Sequence, residues 1–112
     1  MSDYHEPTEE LSAKTRDITR ALISLKEEVE AVAWYQQRVD TTQDEELKAV
    51  LEHNRDEEIE HACMAIEWLR RNMPVWDEEL RENLFKEVDI AHHHDDEEDT
   101  DKDLGIGQIK DK

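Results

Sequence analysis

Between Pro7 and Pro74 the chain contains neither proline nor glycine, and its two glycines, Gly105 and Gly107, lie close to the C-terminus. Tight hairpin turns draw heavily on glycine, so a sheet built from short strands is disfavoured. A glycine-rich phosphate-binding loop is also missing from that stretch. Uninterrupted sequence of this kind is suited to long helices. Apolar residues at Leu11, Ile18, Leu22, Leu25, Val29, Val32 and Val39 recur at helical spacings of three, four or seven. They predict a first helix from near Pro7, a favoured first-turn residue, to about Asp40. A turn is expected over residues 40–43, with Thr42-x-x-Glu45 as a capping box for a second helix. Leu47, Val50, Leu51, Ala62, Ala65, Ile66 and Leu69 carry that helix to about Asn72, where Pro74 stops it. A third, shorter helix fits Trp76 to about Val88, with Leu80, Leu84, Phe85 and Val88 on its buried side. Cys63 reads as a small buried residue, and Met64 and Trp68 as core. The fold class is therefore all-α: an antiparallel two-helix hairpin plus a short C-terminal helix, spanning residues 1–90. So few helices enclose little core, so dimerisation into a four-helix bundle is expected.

Charge divides the 112 residues differently. The formal net charge is −18, which disfavours nucleic acid and favours a cationic partner. Residues 91–103 include DDEEDTDKD at 95–103, a self-repelling tract expected to be a disordered linker. His92, His93 and His94 precede it, either as weak metal ligands or as part of the solvated tract. Beyond it, residues 104–112 hold the apolar island LGIGQIK, expected to be a docking peptide. No run of residues is long and apolar enough to span a membrane. The N-terminus lacks a secretory pattern. A single cysteine, Cys63, excludes an internal disulfide and suits a reducing cytosol.

Three polar residues interrupt the apolar faces. On the first helix, the row Ala21, Leu25, Glu28, Val32, Tyr35, Val39 contains a carboxylate. On the second, Leu47, Leu51, Asn54, Glu58, His61, Ala65, Trp68 contains Glu-x-x-His. The spacing of three points Glu58 and His61 the same way from adjacent turns. A turn centred near residues 42–43 brings Glu28 and Glu58 to equal height within ~2 Å. Buried carboxylates persist when protonated, paired or metal-bound, and two oxygens with one imidazole suit a divalent first-row metal. One Glu plus one Glu-x-x-His is half the ligand set of a ferritin-like di-iron bundle, and a two-fold dimer would supply the other half. With six histidines and abundant glutamate, one Glu-x-x-His is ordinary, so the argument rests on the hairpin register. Glu58 and His61 as a surface ion pair is the alternative. Glu57 and Glu60 read as a solvated face. Tyr35 either packs in the core or lies beside the ligands.

The segments EEVEAVAWY at 27–35, NRDEEIEH at 54–61 and EWLRRN at 67–72 resemble the encapsulated ferritins of bacteria. The terminal LGIGQIK at 104–110 is similar to the peptides that load such proteins into an encapsulin shell, although Gly-Gln departs from the commoner Gly-Ser. The resemblance implies a ferroxidase that oxidises Fe(II) to Fe(III) with oxygen at a di-iron centre, two irons per dimer. It implies Glu28, Glu58 and His61 of both chains as ligands, with Tyr35 beside the centre. Glu27, Glu30 and Trp34 would lie towards a metal attraction or entry site. It also implies a homodecameric ring of dimers inside an encapsulin nanocompartment in the bacterial cytoplasm, with iron storage left to the shell. The competing reading is a non-catalytic metal-binding or helical interaction protein docked to a shell.

Overall fold

The structure, a computed structural model, describes residues 3–91. The docking peptide, His92, His93, His94 and all of the linker except Ala91 lie outside the described residues. A 3-10 turn at Thr8–Glu10 precedes three helices: α1 (Ala13–Thr41), α2 (Glu45–Asn72) and α3 (Pro74–Asn83). No strand occurs among the described residues. None of these helices is long and apolar enough to cross a membrane. The all-helical expectation holds. Residues up to Asp77 form one compact unit and those from Glu78 another.

All three helix starts differ from the sequence expectation: α3 opens at Pro74, two residues before Trp76, where proline suits a first helical position, and the other two differ for a capping reason. The chain leaves Pro7 in the short 3-10 turn, and α1 begins only after Ser12. The Ser12 hydroxyl accepts from the Thr15 amide at 3.0 Å and satisfies one of the donors that a helix start leaves open. At the other end, Thr42 does not open α2. Its hydroxyl and its amide both donate back to the Arg38 carbonyl, closing α1. Asp44 is the true N-cap of α2, accepting from the Leu47 amide at 2.9 Å. The connection is thus residues 42–44, centred on Gln43.

The helices α1 and α2 lie antiparallel and are fastened at separate heights. Near the open end, Lys14 donates to the Asn72 side-chain oxygen at 2.6 Å and sits 5.7 Å from the centre of the Trp68 ring. Closer to the turn, Arg55 donates to the Gln36 side-chain oxygen at 2.9 Å. In the last turns of α2, Arg70 joins Glu67 and also Asp77 of α3, and Arg71 reaches Glu67 too. The two guanidiniums hold the Glu67 carboxyl down to about 2.

The core of the hairpin is thin. Val39, Ala62 and Leu69 are its buried apolar residues, and Leu69 is fully enclosed. Leu22, Val29, Leu47, Val50 and Met64 remain exposed, although sequence periodicity put them on inward stripes or in the core. A two-helix pair covers only a narrow strip of each helix, so the outer edges of a wide apolar stripe stay open. Cys63 is exposed as well, contrary to its expected burial, because the helical turn carries it about 100° away from the buried Ala62.

The third helix stops earlier than periodicity suggested. The Asn83 side chain takes the Glu79 carbonyl, Leu84 donates to the Leu80 carbonyl, and Phe85 has φ 59°. That left-handed residue ends the helix where glycine is usual and costs a non-glycine roughly 1–2 kcal/mol. Leu84, Phe85 and Val88 consequently fall outside the helix and are exposed, Phe85 completely. Leu69→Ala is expected to lower stability by about 2–5 kcal/mol and Asp44→Ala by about 1 kcal/mol. Denaturant unfolding of the two variants measures both losses.

Candidate metal centre

The turn position fixes what faces what at mid-hairpin. Centred on Gln43, it places Glu28 of α1 and Glu58 of α2 at equal distances from the bend, and His61 follows one turn on from Glu58. One carboxylate oxygen of Glu28, one of Glu58 and a ring nitrogen of His61 all lie within 4.8 Å of one another. Among the described residues this is the group of three or more His, Cys, Asp or Glu side chains close enough to share an ion. His61 Nδ1 is 3.4 Å from Glu28 Oε1 and 3.7 Å from Glu58 Oε1. A single ion with bonds of about 2.0–2.2 Å to oxygen and nitrogen holds its donors at such separations.

The electrostatics of the group are governed by the two facing carboxyls. Glu28 Oε1 is buried and makes no hydrogen bond. The Glu28 carboxyl is raised above its ordinary value. The neighbouring Glu58 carboxyl, with which it can share a proton, contributes most, followed by burial and by the Glu58 charge, with His61 opposing. Two carboxyl groups can hydrogen-bond only by holding a proton between them. A bound cation does the same work without that proton. The donor set fits a first-row divalent metal, as two hard oxygens and one imidazole require.

His61 has a second carboxylate neighbour on its other side. Nε2 lies 3.9 Å from Glu57 Oε1, and the other Glu57 oxygen lies 3.8 Å from His53 Nε2. Sequence reasoning left Glu57 on a solvated face. The signal that finds it is the i, i+4 spacing of His53, Glu57 and His61, which stacks them along one edge of α2.

The remaining expected residues lie elsewhere on α1. Tyr35 is half-buried two turns beyond Glu28, and the Arg38 guanidinium lies 5.0 Å from the centre of its ring. Glu27 and Glu30 are exposed and stand outside the Glu28–Glu58–His61 group. Trp34 is also exposed and lines an open cleft with Gln37, Arg38 and Thr41.

Because folding raises the Glu28 carboxyl, its ionisation opposes folding. That cost is absent below the ordinary carboxylate pKa, grows as pH rises towards the raised folded value, and is complete above it. Glu28→Gln is therefore expected to raise the thermal midpoint of metal-free protein at about pH 7 and to leave it unchanged near pH 3. Unfolding curves at the two pH values check the sign. A variant less stable at neutral pH would refute it.

Comparison with known proteins places this arrangement in context. Residues 3–87 match the EncFtn-like family. A Thermotoga maritima protein named ferritin-like protein is 58% identical over 114 residues, spanning 97% of this chain and 100% of the relative. An encapsulated ferritin-like protein of Rhodospirillum rubrum is 58% identical over 87 residues, covering 78% of this chain and 62% of that protein. The crystal structure of a Nitrosomonas europaea protein superimposes with a TM-score of 0.78 at 58% identity, over 81% of this chain and 100% of the other.

Proposed function

The chain belongs to the EncFtn-like family, and from that membership and the site geometry we propose that it is a ferroxidase whose di-iron centre is shared between two subunits. Fe(II) is its substrate, giving up electrons to dioxygen and leaving as Fe(III). The observation that carries the reading is the grouping of Glu28, Glu58 and His61 at one level of the hairpin. One hairpin offers half of a di-iron ligand set, and a two-fold partner doubles it. The same partner would cover Val29 and Val50, both 55% exposed in the single chain.

Each residue has a definite task in this reading. Glu28 and Glu58 would hold the irons, and as hard oxygen donors they would favour the ferric state. His61 contributes a neutral ring nitrogen, so acid weakens binding. Tyr35 stands beside the centre. Glu27 and Glu30, with Trp34, attract cations towards it. Ten such chains assemble into a ring of five dimers. Because an open ring retains no mineral, storage falls to an encapsulin shell, which the segment 104–110 engages from the end of its acidic tether. The name of the Rhodospirillum rubrum relative, an encapsulated protein, supports that partner. A compartment within a bacterial cytoplasm follows from the same reading. The second reading, metal binding without turnover, rests on the same three ligands.

Aerobic Fe(II) titration followed by ferric absorbance separates the two. The parent is expected to oxidise iron rapidly, and Glu58→Ala and His61→Ala to fall to near the uncatalysed background. Variants as fast as the parent would exclude the site. Native mass measured together with metal content tests sharing: a stable monomer that binds two irons refutes the two-subunit centre.

A further inference from the structure

The imidazole of His61 stands among three carboxylates. Its Nδ1 edge faces Glu28 and Glu58 at 3.4 and 3.7 Å, and its Nε2 edge faces Glu57 at 3.9 Å. The ring is 46% exposed at its side chain, so packing alone does not fix its rotation. An unrestrained ring could turn over and present the wrong nitrogen, or keep its proton on Nδ1, where the two inner carboxylates attract it and where it blocks a metal. A metal-ligating histidine is characteristically steadied by a carboxylate or carbonyl that accepts from its other ring N–H.

Resting on the proposed metal centre, we propose that Glu57 is the positioning residue for His61: its carboxylate accepts the Nε2 proton, so the ring presents an unprotonated Nδ1 to the ion shared with Glu28 and Glu58. At 3.9 Å from Nε2 the Glu57 oxygen is about 0.7 Å outside hydrogen-bond range. Glu57 and His61 are four residues apart on one helix face, so a small side-chain rotation closes that gap. His53, 3.8 Å from the second Glu57 oxygen, restrains the carboxylate from the far side. Glu57 itself contributes no oxygen to the group of ion-sharing atoms.

Zinc is the probe, because it is diamagnetic and is not oxidised. The full-length protein carrying 15N-labelled histidine is titrated with zinc at about pH 8, where ordinary imidazole is neutral. His61→Ala identifies the His61 resonances. Zinc is expected to shift His61 Nδ1 while the proton remains on Nε2. Glu57→Ala is expected to weaken zinc binding about 10–100-fold and to speed exchange of the Nε2 proton with water. Glu57→Gln keeps an acceptor oxygen and is expected to retain most of the affinity, and Glu60→Ala, on the exposed face, to retain all of it. Zinc bound through Nε2, or a Glu57→Ala variant with parental affinity, overturns the inference. So does a Glu57→Gln variant as weak as Glu57→Ala, which would assign the effect to charge. A parent that binds zinc as expected but oxidises no iron leaves the positioning role standing and removes the ferroxidase reading. A parent that takes up no zinc at Glu28, Glu58 and His61 removes both.

Discussion

The chain is organised around the confrontation of Glu28 with Glu58 across the α1–α2 hairpin. Two carboxylates in that position repel each other, lose part of their hydration and can hydrogen-bond only through a retained proton. Everything else about the hairpin has to support an arrangement that is unfavourable by itself. The cross-links Lys14–Asn72 and Arg55–Gln36 hold the helices together on either side of it. His61 supplies a nearby group able to join the carboxylates on an ion. A cation turns the same three side chains from a source of repulsion into a common attachment point. The unfavourable pairing is therefore the physical observation on which the proposed metal centre rests.

The thin core has a related logic. Val39, Ala62 and Leu69 are the buried apolar residues of the hairpin, while much of its apolar stripe stays open. A wide stripe on a two-helix unit is more than the unit can use by itself. The surplus apolar surface and the Glu28–Glu58–His61 group lie on the same two helices. In the proposed reading a second copy of the chain would answer both, which would make assembly and metal binding two aspects of one requirement.

Much of this was legible in the sequence, because helical periodicity and hairpin register are matters of spacing. Glu28, Glu58 and His61 could be brought together from their positions relative to the turn, and the structure puts them within ligand-sharing distance. What escaped depends on side-chain choice at single positions. Thr42 and Asp44 are both good capping residues, and only the hydrogen bonds show that Thr42 closes one helix while Asp44 opens the next. The end of α3 was hidden because Phe85, not glycine, takes the left-handed conformation. Glu57 looked like one more solvated acid on an acidic chain, since its significance lies in the direction of His61's second nitrogen. The acidic tract and the terminal peptide lie outside the described residues, and their reading rests on sequence alone.

The turn over residues 42–44 has one more consequence. Glu28 and Glu58 stand equally far from it along the two arms, so the bend acts as the zero mark of a ruler. Insertion of one residue within either arm, between the bend and the site, would rotate one ligand by about 100° and raise it by about 1.5 Å relative to its partner. The same insertion beyond the site, towards the open end, would leave the pairing intact. Variation in length among chains of this kind is therefore expected to collect at the outer ends of the hairpin, with the segment from Glu28 through the bend to Glu58 held at constant length.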